Sequence, residues 1–181
     1  MKDLFFVALL PDEQIQREIT RFKQYAARHF GSRHALRSPP HITLFPPFRW
    51  LPDRLPEIEA CLGRAAAAER PFELELNNFN SFPPRVIFVD VAPSEELQGL
   101  HRRLKERLGE ELALAGDQRP TFNPHLTVAF KDLQRSLFAK AWEYFSAIEY
   151  QRRFRAEKLV LLEHRAQGWA VLAEFGFSAE G

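Results

Sequence analysis

The chain has 181 residues, 45% hydrophobic and 27% charged, with 17 phenylalanines and a formal net charge of +1. That is enough for one domain, or two small lobes sharing a core, and it excludes a disordered or fibrous chain. So small a charge excludes bulk attraction to nucleic acid, so any polyanion site must come from local clusters of Arg and Lys.

The apolar run over residues 4–10, "LFFVALL", ends at Pro11-Asp12 and predicts a buried first strand. It has no small-residue cleavage site, so it does not read as a signal peptide, and no apolar run is long enough to span a bilayer. Ile15, Ile19, Phe22 and Ala26 recur at helical spacing and predict an amphipathic helix over 12–29. A basic loop with Arg33, His34 and Arg37 leads into "SPPHITLFPPF" (38–48), a strand delimited by prolines.

Residues 53–68 read as a helix with Ile58, Leu62 and Ala65 on one side. "PFELELNNF" and "RVIFVDV" follow as strands joined by a turn around "SFPP". Ser94 is placed to cap a helix in which Leu97, Leu100, Leu104 and Leu108 form one stripe. "GDQRP" ends that segment, "NPHLTVAF" is the next strand, and 133–146 is a helix. The tail over 148–176 suggests three short strands, "IEYQRRF", "KLVLLEH" and "WAVLAEFGF". Strands and helices without a strict βαβ rhythm predict an α+β fold. Cys61 is the only cysteine, so no intrachain disulfide can form, and a soluble protein of the reducing cytoplasm is the expectation.

The chemistry-bearing signal is a duplication. "PHITL" at 40–44 is matched by "PHLTV" at 124–128, which sets His41 and His125 84 residues apart, near half the chain length. With four threonines and six histidines in the whole chain, two His-x-Thr coincidences are a chance event below about 1%. Side chains alternate along a strand, so His41 and Thr43 face one way while Ile42 and Leu44 face the other, and likewise His125 and Thr127 against Leu126 and Val128. If the halves are related by an approximate two-fold axis, two imidazoles and two hydroxyls surround one small anion. That suits in-line displacement at phosphorus. One neutral imidazole takes a proton from the attacking oxygen, one imidazolium gives a proton to the leaving oxygen, and the hydroxyls bond the non-bridging oxygens. Two histidines without a nearby Cys or carboxylate are a poor zinc set, so no metal is expected.

These residues carry a resemblance. The paired "HITL" and "HLTV", the opening "FFVALLPDEQIQREI", the "FPPRVIFVDV" strand and "NPHLTVAF" together resemble the two-histidine (2H) phosphoesterase superfamily. Within it, the similarity is to the 2′-5′ RNA ligase and RNA 2′,3′-cyclic phosphodiesterase group. The resemblance implies a bilobal α+β fold over 1–181. Two antiparallel sheets would form a central cleft, with helices outside and one motif in each of two intertwined lobes. It also implies metal-independent opening of a 2′,3′-cyclic phosphate, with His41 and His125 as acid and base and Thr43 and Thr127 as phosphate ligands. Relatives of the RNA-processing type carry a basic residue directly after the second motif strand. Here Phe130 stands there, and Lys131 is the candidate replacement.

Further substrate contacts are expected from Arg37 and Arg85, and from Phe45, Phe48 and Trp50 as platforms for a nucleobase. His29, His101 and His164 lack a threonine partner and read as structural or surface groups. The expected substrate is an RNA end or a nucleotide, acted on by a monomer without cofactor. Two alternatives stand beside it. One is the same chemistry on another small molecule, such as ADP-ribose cyclic phosphate or a 2′-5′ oligoadenylate. The other is a non-catalytic RNA- or nucleotide-binding module, against which two titrating groups argue.

Overall fold

The computed structural model describes residues 1–119 and 121–178, so Pro120, the last residue of "GDQRP", lies outside the described residues. Among the described residues, eight strands and four helices follow the order β1 (Asp3–Leu9), α1 (Glu13–Phe30), β2 (Ile42–Trp50), α2 (Leu55–Ala67), β3 (Phe72–Phe82), β4 (Val86–Val91), α3 (Glu95–Leu112), β5 (His125–Ala129), α4 (Arg135–Ser146), β6 (Gln151–Ala156), β7 (Lys158–Arg165) and β8 (Gly168–Gly176). Two short 3₁₀ turns, His34–Arg37 and Pro52–Arg54, precede β2 and α2.

The strands form two four-stranded antiparallel sheets, ordered β2-β1-β7-β8 and β5-β4-β3-β6. The first sheet is built from both ends of the chain and the second from its middle. In each sheet the strand that carries a His-x-Thr motif is an edge strand beside the strand preceding it in sequence.

The segments β1-α1-β2 and β4-α3-β5 are two renderings of one unit. Both helices are 18 residues long. Asp12 caps α1 by accepting from the Ile15 amide at 3.0 Å, and Ser94 caps α3 by accepting from the Leu97 amide at 3.1 Å. Each cap satisfies an otherwise orphaned helix donor and is worth about 1 kcal/mol. Both helices stop at a residue in the left-handed region, Gly31 and Ala113.

The helices are exchanged between the sheets. α1, which follows a strand of the first sheet, packs against β5 of the second; α3, which follows a strand of the second, packs against β2 of the first. One contiguous core results. It joins Ile15, Ile19 and Phe30 of α1, Leu97, Leu100 and Leu104 of α3, and the inward residues of both sheets. The opposite face of the first sheet carries only a small apolar patch of Phe6, Ala8, Val160 and Leu162, with Leu10 and Trp169 against it. That second face is where His41 and Thr43 emerge.

Candidate active site

Each motif is set by strand alternation, as its sequence pattern predicts. Ile42 and Leu44 are buried while His41 and Thr43 are half-buried; Leu126 and Val128 are buried while His125 and Thr127 are half-buried. Each edge strand is held by the strand beside it: Thr43 pairs with Ala8 of β1, and Thr127 with Phe88 of β4.

The two imidazoles are anchored alike. His41 Nδ1 lies 2.7 Å from the Pro39 carbonyl, and His125 Nδ1 lies 2.7 Å from the Asn123 carbonyl, in both cases two residues upstream. A carbonyl only accepts, so both Nδ1 atoms carry hydrogen and each neutral ring leaves Nε2 with a free lone pair. Each ring also lies beside a phenylalanine of the neighbouring strand. The Phe6 centroid is 4.8 Å from that of His41, and the Phe88 centroid 4.9 Å from that of His125. Phe82 meets His125 edge-on at 5.3 Å. Carbonyl and phenyl ring together fix the direction of each imidazole with little rotamer freedom.

The two sheets approach each other at this point, through β2 and β5. A cavity of about 70 Å³ is lined by Thr43 of β2 and by His125 of β5, together with Phe82, His101, Arg119 and Phe122. Burial pushes the affinity of His41 for a proton down, to a pKa of about 4; the Pro39 hydrogen bond opposes this, and positive charge on Lys23 and His125 adds to it. Burial lowers His125 too. The Asn123 carbonyl opposes the shift, Arg119 adds to it, and Asp90, its cross-strand partner on β4, works against it. Both shifts favour the neutral imidazole at pH 7, and an anion beside either ring would restore part of the lost basicity. His41 and Thr127 do not line the cavity that Thr43 and His125 share.

The remaining expected contacts are scattered. Arg85 is exposed on the β3–β4 turn, close in sequence to Phe82, but does not line the cavity. Lys131 is exposed and takes a left-handed backbone (φ 62°) just past β5. Asp132 beside it ties the two motif loops together: its carboxylate accepts from the Ser32 hydroxyl at 3.0 Å and from the Arg33 and His34 amides at 2.8 and 2.9 Å. Arg37 is exposed on the loop before His41.

Phe45, Phe48 and Trp50 do not form a base platform. All three belong to the buried core, with Phe45 only 1% exposed. Register shifts in the β1–β2 pairing on either side of the Val7–Phe45 pair break the alternation just after Thr43, which turns the following aromatic side chains inward. Trp50 also gives its indole N–H to the Arg54 carbonyl at 2.9 Å.

Reading the sequence alone passed over Arg119 and Phe82 and set His101 aside as a structural or surface group. His101 stacks on Phe122 with centroids 3.9 Å apart and shares the cavity with Thr43 and His125. Arg119 had one weak signal, a lone cation in the loop entering the second motif, as Arg37 lies in the loop entering the first. Lys23 had none. Its ammonium lies buried at the middle of α1 and donates to the Ala35 and Ser38 carbonyls at 3.0 and 2.9 Å, pinning the loop that carries Pro39. Among the described residues no group of three or more His, Cys, Asp or Glu side chains is gathered as metal ligands would be, and no helix is long and apolar enough to cross a membrane.

A family model for the 2'-5' RNA ligase superfamily matches residues 11–168. The chain belongs to that superfamily. A "Putative phosphoesterase" of Geobacillus sp. (strain WCH70) is 32% identical over 172 residues, 93% of both chains. A second, of Geobacillus kaustophilus, is 27% identical over the same share. Among solved structures, TT0787 of Thermus thermophilus superposes with a TM-score of 0.70 at 22% identity, over 100% of both chains. E. coli LigT complexed with 3'-AMP superposes with a TM-score of 0.69 at 17% identity, covering 98% of this chain and 99% of LigT. At these TM-scores the chain has the α+β fold of TT0787 and LigT, and by family it stands among phosphoesterases.

Proposed function

We propose that the protein is a phosphodiesterase that opens a 2′,3′-cyclic phosphate of RNA or a nucleotide by acid–base catalysis from His41 and His125. The observation that carries this reading is the matched anchoring of the two rings. Each has Nδ1 spent on a backbone carbonyl and Nε2 left for proton transfer, from strands of opposite lobes. A structural histidine has no need of this arrangement, and still less a pair of them in two copies of one motif.

In the reaction, His41 Nε2 takes a proton from water as its oxygen attacks phosphorus. The bond from phosphorus to the ribose 3′ oxygen breaks, and the His125 imidazolium delivers a proton to that oxygen, leaving a 2′-phosphate. The assignment follows the surroundings. Burial with Lys23 nearby holds the His41 pKa at about 4 and favours it as the neutral base. At His125 the Asp90 carboxylate offsets part of the same burial effect and makes that ring the readier of the two to carry the proton as acid. Thr43 and Thr127 donate to the non-bridging oxygens, where charge grows in the transition state. That LigT, of the same fold, binds 3'-AMP supports a nucleotide as ligand.

The test is turnover of 2′,3′-cyclic mononucleotides in excess chelator by wild type, His41→Ala and His125→Ala. Each variant is expected to lose about 10²–10⁴-fold in kcat. Wild-type turnover in either variant removes that histidine from the chemistry, and loss of activity on chelation overturns a mechanism of side chains alone.

A further inference from the structure

The cavity where the two sheets approach is lined by unlike halves of the two motifs, Thr43 from β2 and His125 from β5. At about 70 Å³ it is well below the size of sites for whole organic ligands and near that of one phosphate-sized group. Among the described residues that line it, Arg119 is the one permanent cation and Asp117 the one carboxylate. Phe130 and Lys131, which follow β5, do not line it. The positive charge beside the second motif therefore enters from the loop before the strand.

Arg119 is braced on one edge and open on the other. Its Nε and Nη2 both meet a single oxygen, Oδ2 of Asp117, while Oδ1 accepts from the Arg119 amide at 2.9 Å. Asp117 is fixed in turn, because its backbone carbonyl accepts from Lys105 Nζ of α3. Nη1 of the guanidinium meets no acceptor among the described residues. The side chain is 76% exposed, so its open edge can turn onto an anion without loss of packing. A planar fork of donors suits the non-bridging oxygens of a phosphate. Its charge already reaches His125, where it disfavours the protonated ring; Asp90 on β4 acts in the opposite sense.

We propose that Arg119 is the cation that binds the phosphoryl group in this cavity, beside Thr43 and His125. The inference rests on the function proposed above and gives its phosphate a charged ligand that the His-x-Thr motifs do not contain. The open guanidinium edge, with the other still braced by Asp117, meets a non-bridging oxygen and offsets the charge that grows there. The bound anion also cancels the repulsion that Arg119 exerts on a protonated His125. Protonation of the acid is thereby coupled to the presence of substrate.

The first test needs no turnover. Inorganic sulfate has the shape of phosphate and does not titrate near neutrality, and its binding is followed through the NMR signal of the His125 ring. Arg119→Ala is expected to weaken sulfate about tenfold or more and to raise the pH at which His125 titrates in the empty protein. Arg119→Lys should restore the charge effect on His125 but not the full affinity, since the fork is lost. Asp90 and His41, the other groups whose charge is linked to that ring, are untouched in both variants. Arg155→Ala removes another exposed cation, on the opposite edge strand of the same sheet, and should change neither quantity. With a 2′,3′-cyclic mononucleotide, Arg119→Ala should lower kcat about 10²–10³-fold. It should also move the alkaline limb of kcat/KM to higher pH, which a merely structural loss would leave in place. Unchanged sulfate affinity, unchanged kcat, or equal effects of Arg155→Ala overturn the proposal. If wild type turns nothing over while the sulfate results hold, the function proposed above has failed and Arg119 stands as an anion ligand.

Discussion

Gly168, at the start of β8, sets its α-carbon against the Arg37 carbonyl so closely that a β-carbon would overlap that oxygen. Its backbone is also in a region that side chains disfavour, with φ +129°. The β7–β8 turn and the loop that carries Pro39 and His41 are thus in direct backbone contact, and glycine is what permits it. Gly168→Ala must push the two apart. It is expected to cost about 1–3 kcal/mol, lowering the melting temperature by several degrees, and to reduce turnover by moving the Pro39 carbonyl away from His41. A thermal melt and a kinetic assay check both, and an unchanged melt would show that the loops are not in register contact.

Phe6 and Phe88 make the same prediction in two places. Each is buried and lies beside the ring of one motif histidine. Truncation to Ala is expected to cost about 3–5 kcal/mol in either lobe. The milder Phe6→Leu and Phe88→Leu keep apolar volume but lose the flat surface, and should lower kcat by about tenfold or more through misorientation of the imidazole, with KM little changed. A loss confined to KM would argue that these rings contact substrate instead of orienting the histidines.

Burial lowers both histidines, His41 to about 4, so the pH optimum of kcat/KM is expected on the acid side of the ordinary imidazole value of about 6.5. Asp90 supports the charged form of His125. Asp90→Asn should therefore lower the pKa of the acid and draw the alkaline limb of the profile toward lower pH, leaving the acid limb, set by His41, in place. Movement of the acid limb alone would reverse the assignment of acid and base.

Lys23 contributes a stability that depends on pH. Burial pulls its pKa down to about 7 in the folded protein, against about 10.4 in the unfolded chain. Between those values the unfolded chain binds more protons, so stability should rise with pH from about 7 to about 10, by up to about 1.4 kcal/mol per unit, and be flat in this respect below 7. Lys23→Met should abolish the rise. It should also leave the Ala35 and Ser38 carbonyls without their donor and lower turnover by loosening the loop before His41. Denaturant titrations at pH 7 and pH 9 measure the difference; equal slopes in wild type and variant would show that the buried ammonium is not the source.

The two His-x-Thr pairs were readable along the chain because their signal is local. A strand alternates every two residues whatever surrounds it, so His41 with Thr43 and His125 with Thr127 are committed to one face by the apolar residues between them. The helices were readable for the same reason. The stripe of Leu97, Leu100, Leu104 and Leu108 is buried in full, and Ser94 caps α3 as its position suggests. The predicted strand around 38–48 was right as an element and misleading beyond Thr43. Alternation carried on from His41 would place Phe45 in the cleft, but the shifted pairing with β1 turns it into the core. A bulge is a property of two strands, and one strand's residues do not announce it.

What surrounds the two His-x-Thr pairs belongs to the same class of fact. Lys23 on α1, Arg119 before β5 and Trp169 on β8 are far apart in sequence, and none carries a motif. They reach the histidines only because the chain's two ends share a sheet and because α1 and α3 each cross to pack on the other lobe's motif strand. Short-range periodicity was therefore sufficient for the fold class and for the two His-x-Thr pairs. The choice of which loops, cations and aromatic rings enclose them was left to long-range packing, since only burial of both sheets against exchanged helices brings those segments within a few ångströms of one another.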